Sequence, residues 1–384
     1  MNHIPMLDLA RQYRYMKKDI DAAIARCLEH QRWIKGPEVE ELERRMAEYL
    51  GVGHCIGVAS GTDALVIALR ALAMKTKGKE YFCREDEIIT TPFTFVATGE
   101  AILRSGATPV FVDIDPSTLN IDAAKIEEYL ASDAERAVGI LPVHLYGQAC
   151  DMDAILDIAG KYDLFVLEDA AQALGGAWDG RRLAGIGHAG ALSFFPSKNL
   201  GCFGDGGMIA TSDEELAEIS RMLLQHGGKD KYRSEHIGYN SRLDTLQAAV
   251  LLAKFPYLEE MLEGRRRVAA IYEEGLEGIA GIRLLEHAAK ALPTYNQYTI
   301  LVEGGKRDEM AGHLREKGVS TAVYYHTPLH RMEVFEGRSR MYGELTHALK
   351  ASKEVLSFPV DPLLRMEDAR RVVKTVRLWA NNHV

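Results

Sequence analysis

The sequence predicts an α/β fold, in which a large domain on a mostly parallel, seven-stranded sheet precedes a smaller α+β C-terminal domain. Three observations carry this. Seven short, nearly continuous apolar runs read as strands buried on both faces: CIGVAS (55–60), EIITT (87–91), PVFVD (109–113), VGILPV (138–143), LFVLED (164–169), GALSFF (190–195) and GMIAT (207–211). Helical stretches such as TDALVIALRALAM, ATGEAILRSG and MDAILDIAGKY separate several of them, the alternation that builds parallel sheets. After about residue 255 the texture changes to long charged helical stretches, YLEEMLEGRRRVAAIYEEGLEG and the terminal MEDARRVVKTVRLWANN, around a few strand-like runs such as YNQYTILVE (295–303).

A chain of 384 residues is too long for one small core, so the division falls at 1–255 and 256–384, with the N-terminal segment available to pack on the small domain. Residues 37–50 read as a helix. Pro37 suits its first turn, Val39, Leu42, Met46 and Tyr49 form its apolar stripe, and Gly51 is its stop. The net charge of −9 is mixed along the chain and no basic stretch is dense, which argues against nucleic acid or a membrane surface as partner. The five cysteines (27, 55, 83, 150, 202) are scattered without a CxxC pair, as expected in a reducing cytoplasm. The first twenty residues mix acids and bases with no apolar core, so no signal peptide is expected there, and no apolar run has the length of a membrane span.

Chemistry concentrates where strands end, which is where open α/β sheets bind ligands. Ser60-Gly61-Thr62-Asp63 joins the first strand to a helix. Gly61 permits a tight turn, and the free N–H groups of the helix start attract a phosphate; a plain helix cap is the other reading. Glu168-Asp169 puts a carboxylate at the edge of a buried strand, which is costly without a cation. A protonated coenzyme ring nitrogen is one such cation, and an arginine or a helix cap is the alternative. Lys198 follows the strand carrying Ser193, in a short loop before the glycine-rich CFGDGG. Apolar surroundings lower a lysine's pKa and favour a nucleophilic amine, although a lysine in a loop is more often simply exposed. The order phosphate cradle, strand-end Asp169, then Lys198 fits successive strand ends of one sheet.

These segments resemble the DegT/DnrJ/EryC1/StrS family, sugar aminotransferases of the pyridoxal-5′-phosphate (PLP) transferase fold type I. The resemblance runs nearly the whole chain: GPEVEELE, SGTDAL, TPFTFVAT, PVFVDIDP, PVHLYGQ, EDAAQALGG, SFFPSKNLGCFGDGG, YNSRLDTLQAA and YYHTPLH. It implies that Lys198 holds PLP as a Schiff base and shuttles a proton, that Asp169 pairs with the pyridinium nitrogen, and that Gln172 lies near the phenolic oxygen. It further implies that Ser193, Gly61 and Thr62 bind the phosphate and that Phe95 stacks on the ring, with ordinary core packing as the alternative for Phe95. Asn240 matches the position that reaches the phosphate of a partner subunit's coenzyme, which requires a homodimer with shared sites; alternatively it caps the following helix. Arg242 is placed to meet an acidic part of the substrate or to form a structural ion pair. Tyr325 keeps the family's tyrosine in the substrate loop, but Tyr324 and His326 replace the usual histidine and proline, which points to a different sugar pocket.

Two signals are set aside. Gly185–Gly190 spells GxGxxG but precedes a strand instead of following one. The histidines show no metal spacing, no metal is expected, and His144 and His226 read as structural. The resemblance implies amino transfer from an amino acid, L-glutamate, to a keto group of a nucleotide-linked sugar in polysaccharide or deoxysugar biosynthesis. The FFPSKNLG…GDGG wording favours C3; amination at C4 is the alternative. A family dehydratase would carry histidine in place of Lys198, and a non-catalytic regulatory homologue would have no need of Lys198, Asp169 and Gln172 together.

Overall fold

The computed structural model describes residues 3–133, 135–230 and 232–383. The seven expected strands form as β1 (His54–Val58), β2 (Glu87–Thr90), β3 (Thr108–Phe111), β4 (Ala137–Leu141), β5 (Phe165–Asp169), β6 (Ala189–Ser193) and β7 (Gly207–Thr211). Three further strands shape the C-terminal part: β8 (Ile282–Leu284), β9 (Tyr298–Val302) and β11 (Val355–Phe358). Between the last two lies the two-residue β10 (Arg340–Met341). The large sheet runs β1-β7-β6-β5-β4-β2-β3-β10. It therefore has eight strands, not the seven expected, because β10 returns from the C-terminal part to pair in parallel with β3. Two residues flanked by charge and glycine carry no strand period, so periodicity could not reveal it.

The strands read as continuously apolar because their alternate side chains enter two different cores. Cys55, Ile89, Ile140, Val166, Met208 and Ala210 face one; Ile56, Ile88, Leu141, Leu167 and Ile209 face the other. Helices α2 (Pro37–Leu50) and α8 (Thr245–Lys254) close the first core, and α3 (Gly61–Lys77), buried from Ala64 to Ala73, fills the second. In α2 the stripe is Val39, Leu42, Met46 and Leu50. Tyr49 packs half-buried at the edge of this core, edge-on to Phe255 at 5.5 Å, and its hydroxyl donates to Glu259 at 2.6 Å.

Strand β7 runs against both its neighbours, so β1 points the same way as β6, β5 and β4. The C-terminal ends of β1, β5 and β6 consequently meet on one edge. Val58 and Ser193 both pair with Gly207, and Asp169 pairs with Ala191.

The antiparallel sheet β8-β9-β11 has its own core of Tyr272, Ile300, Leu356, Phe358 and Trp379, contributed to by α9 (Leu258–Leu276) and α12 (Met366–His383). Ile4 joins this core and bridges Val319, so the N-terminal segment packs on the C-terminal sheet. The 329–345 stretch goes the other way. Phe335 stacks edge-on against Phe111 at 5.5 Å, and a Cβ on Gly99 would stand 2.7 Å from its ring. Phe335→Ala should cost about 3–5 kcal/mol in chemical denaturation, as deletion of a fully buried ring does. A loss below about 1 kcal/mol would show that this segment does not depend on the large sheet.

Candidate active site

Helix α3 begins directly after the turn from β1. Its cap is Ser60, whose Oγ accepts the N–H of Asp63 at 3.1 Å. That leaves the amides of Gly61 and Thr62 without an acceptor among the described residues, at the positive end of the helix. A Cβ on Gly61 would lie 2.7 Å from the Ser193 Cβ, and one on Gly207 would lie 2.4 Å from the Ser60 carbonyl carbon. Glycine at both places lets β1, β6 and β7 converge, which brings the Ser193 hydroxyl beside the free amides. Cap and cradle are thus both present and fall on different residues.

Asp169 is buried at the end of β5. Its Oδ2 accepts from Thr98 Oγ1 at 2.8 Å and its Oδ1 from the Ala171 amide at 3.2 Å, with no cation in hydrogen-bonding contact among the described residues. Burial raises its pKa, and these donors and the Lys198 charge only partly offset the rise. Thr98, on α4 (Val96–Arg104), was not foreseen; it also contacts Thr94 Oγ1 at 3.1 Å. The only sequence trace of this pair is two threonines four residues apart on a helix start.

Lys198 sits in the turn after β6, its amide donating to the Phe195 carbonyl at 2.8 Å. Burial pushes its ammonium down to about 8, with the Asp169 charge pulling the other way. Gln172 is fixed at both ends: Oε1 accepts from the Tyr146 amide at 2.6 Å and Nε2 donates to the Tyr325 hydroxyl at 3.0 Å. Burial raises the Tyr325 pKa, so the hydroxyl stays protonated. The Phe95 ring lies 6.2 Å from that of Tyr325 and is 56% exposed, which rules out core packing. Tyr146 ties the Tyr324–Tyr325 segment down through a hydrogen bond to the Tyr324 carbonyl.

Asn240 is exposed and accepts from Arg242, whose segment lies beside Val58 and Ala59. It does not cap the following helix, since Asp244 holds that position. The Nε of Arg242 is buried without a partner. His226 is exposed, with no side-chain bond among the described residues. His144 is fully buried: the Cys150 amide donates to Nδ1 at 3.1 Å, so Nε2 carries the proton and donates to Glu168 at 3.0 Å. Glu168 also takes the amides of Ala184, Ile186 and Gly187 at 2.7–2.9 Å. The GxGxxG turn therefore does bind an anion, and the anion is the chain's own carboxylate. Cys27, His30 and Glu38 bring potential ligand atoms within 4.8 Å, but the Arg32 amide on His30 Nδ1 leaves a protonated Nε2 facing Glu38.

A lysine of lowered pKa beside a buried carboxylate, at the strand ends of an open α/β sheet and next to a helix start with two free amides, is the equipment of an enzyme that acts on carbonyls through a phosphorylated coenzyme. The sequence matches the DegT/DnrJ/EryC1/StrS aminotransferase family over residues 14–377, and the chain belongs to that family. It is 45% identical over 376 residues to the pleiotropic regulatory protein of Geobacillus stearothermophilus, covering 97% of this chain and 98% of that one. It is 42% identical over 362 residues to the UDP-2-acetamido-2-deoxy-3-oxo-D-glucuronate aminotransferase of Pseudomonas aeruginosa, covering 94% and 96%. The crystal structure of S. venezuelae DesV in complex with a ketimine intermediate matches at a TM-score of 0.93 and 40% identity, covering 99% of each chain.

Because burial raises the Asp169 pKa, the folded coenzyme-free protein keeps that proton to higher pH than the unfolded chain. Stability is then full below the ordinary carboxylate range and falls as pH rises through the raised value. Coenzyme-free Asp169→Asn should therefore match the wild type in thermal melts near pH 3.5 and exceed it at neutral pH. Equal melting curves at both pH values would contradict an uncompensated carboxylate at this site.

Proposed function

We propose that this PLP-dependent aminotransferase moves an amino group from L-glutamate to the C3 keto group of a nucleotide-linked sugar, with sites shared across a homodimer. The observation that carries the proposal is the pairing of Lys198, its ammonium lowered to about 8, with Asp169, buried without a cation. Both groups fit the coenzyme. An amine near neutrality is available to bond a carbonyl carbon, and the buried carboxylate has capacity for one positive ring N–H.

Bound PLP supplies an electron-withdrawing ring, which allows the C–H bond beside the transferred nitrogen to break. The chain's residues do the rest. Asp169 holds the proton on the ring nitrogen, oriented by Thr98 and the Ala171 amide. The amides of Gly61 and Thr62 and the Ser193 hydroxyl grip the phosphate. Phe95 offers an exposed ring face for stacking. Gln172 has one Nε2 hydrogen left for the phenolic oxygen, and because it donates to Tyr325, the Tyr325 O–H is free to donate to substrate. Lys198 would hold the coenzyme through its amine, and an amine of lowered pKa there would be able to move a proton at the substrate carbon.

The orphan Nε of Arg242 supports a role in meeting an anionic part of the substrate. A second copy is supported by the exposed Asn240 and by apolar side chains flanking the same segments, Trp33, Ile34, Phe195, Phe203 and Ile237. Amination at C3 is supported by the wording around Lys198 and by the similarity to the Pseudomonas enzyme, whose name gives a 3-oxo sugar.

Assaying the purified protein with L-glutamate against a panel of 3-keto and 4-keto nucleotide sugars tests the reading. Turnover should be at least about tenfold higher for a 3-keto substrate, an energy difference of about 1.4 kcal/mol, and Lys198→Ala should abolish it. Faster turnover of 4-keto sugars would overturn the C3 assignment, and full activity in Lys198→Ala would overturn the mechanism.

A further inference from the structure

Lys254 is an anomaly. It ends α8, is 8% exposed, and has no carboxylate within salt-bridge distance among the described residues. Its Nζ donates to the carbonyl of Gly201, and the Phe203 ring lies 5.9 Å away. Burial pushes its pKa down to about 8. A buried ammonium with one carbonyl acceptor and one ring face is a poor way to stabilise a fold, since it gives up hydration without an ion pair in return.

What Lys254 holds is the turn that carries Lys198. Between Phe194 and Cys202 the chain leaves β6, makes the turn bearing Lys198 and comes back, with the Cys202 amide closing on the Phe194 carbonyl at 2.8 Å. A Cβ on Gly201 would lie 2.3 Å from the Pro196 carbonyl oxygen, so the two limbs of this turn touch. Helix α8 grips the returning limb twice. Gln247 brackets Phe203, accepting its amide at 2.8 Å and donating to its carbonyl at 3.3 Å, and Lys254 holds Gly201 two residues earlier. Asn199, the residue just past Lys198, is fixed as well: its Nδ2 donates to the Leu174 carbonyl at 3.1 Å.

We infer that Lys254 is a positioning residue for the coenzyme lysine: it fixes the returning limb of the 194–202 turn to α8 and so sets where the Lys198 amine stands relative to Asp169. The inference rests on the assignment of Lys198 as the residue that bonds the coenzyme. It accounts for a charge that the fold alone does not require, as a group retained for the site at some cost in stability. Gln247 does part of the same work through a neutral amide.

The test uses the full-length holoenzyme and Lys254→Met, which keeps the length and apolar bulk of the side chain but has neither donor nor charge. Two readouts are paired: the thermal midpoint of the coenzyme-free protein, and the pH titration of the visible band of coenzyme bound to Lys198. The variant should melt at or above the wild-type temperature, while the titration midpoint moves by half a pH unit or more and PLP affinity falls about fivefold, part of the value of one charged hydrogen bond. Lys254→Arg, which keeps a charged donor, should restore the titration at least partly. A merely structural lysine predicts the reverse, a lower melting temperature with an unchanged titration, and that result would overturn the inference. Should Lys254→Met fail to fold, Gln247→Leu decides: it must move the titration midpoint measurably, and an unchanged midpoint refutes the clamp. A wild-type protein with no lysine-dependent visible band would instead remove the Lys198 assignment itself, a failure distinct from that of the clamp.

Discussion

The site depends on a carboxylate placed where water cannot reach it. Asp169 ends β5 with its oxygens answered, among the described residues, by a threonine hydroxyl and a backbone amide, and burial raises its pKa because neither donor neutralises it. Removing an ion from water costs several kcal/mol even after relaxation. Glu168, one residue earlier, shows how the chain treats a buried carboxylate it means to satisfy internally. It receives three amides and the His144 ring. The contrast between adjacent acids is one of partners: Glu168 is satisfied within the chain, and Asp169 keeps capacity for a cation, as the proposed function requires.

The sheet topology turns this local imbalance into a site. One reversed strand, β7, lies between β1 and β6, and Gly207 at its start pairs with the last residues of both. The unfilled helix start after β1 and the hydroxyl of Ser193 therefore face one another, with Asp169 on the next strand over. Helix α8 then holds the lysine turn from outside the sheet, and the segment just before it carries Asn240 and Arg242. One helix is thus attached both to the turn that carries Lys198 and to the segment that carries Asn240 and Arg242.

Much of this was readable in the sequence because it follows from periodicity and from residues with few alternative uses. Seven strands were visible because a strand covered on both faces is apolar throughout, and the ends of those runs located Asp169 and Ser193. Lys198 needed the family resemblance, since a lysine in a glycine-rich turn has no local signature. The edge strand Arg340–Met341 was invisible: it is two residues long and its partner, β3, lies more than two hundred residues earlier. Thr98, Lys254 and Gln247 were missed for a related reason. Each acts through a contact distant in sequence, 71, 53 and 44 residues away, and none is unusual for the helix it occupies. Phe95 is open between stacking and core packing in the sequence, and its exposed ring argues against the second.

The measurement that bears most directly on this account is reductive trapping. Holoenzyme reconstituted with PLP is treated with borohydride, digested and mapped by mass spectrometry. The account predicts a pyridoxyl-phosphate mass increment on the peptide containing Lys198 and on no other lysine peptide, Lys254 included. Label on a different lysine, or a wild-type protein that retains no coenzyme after reduction, would contradict it.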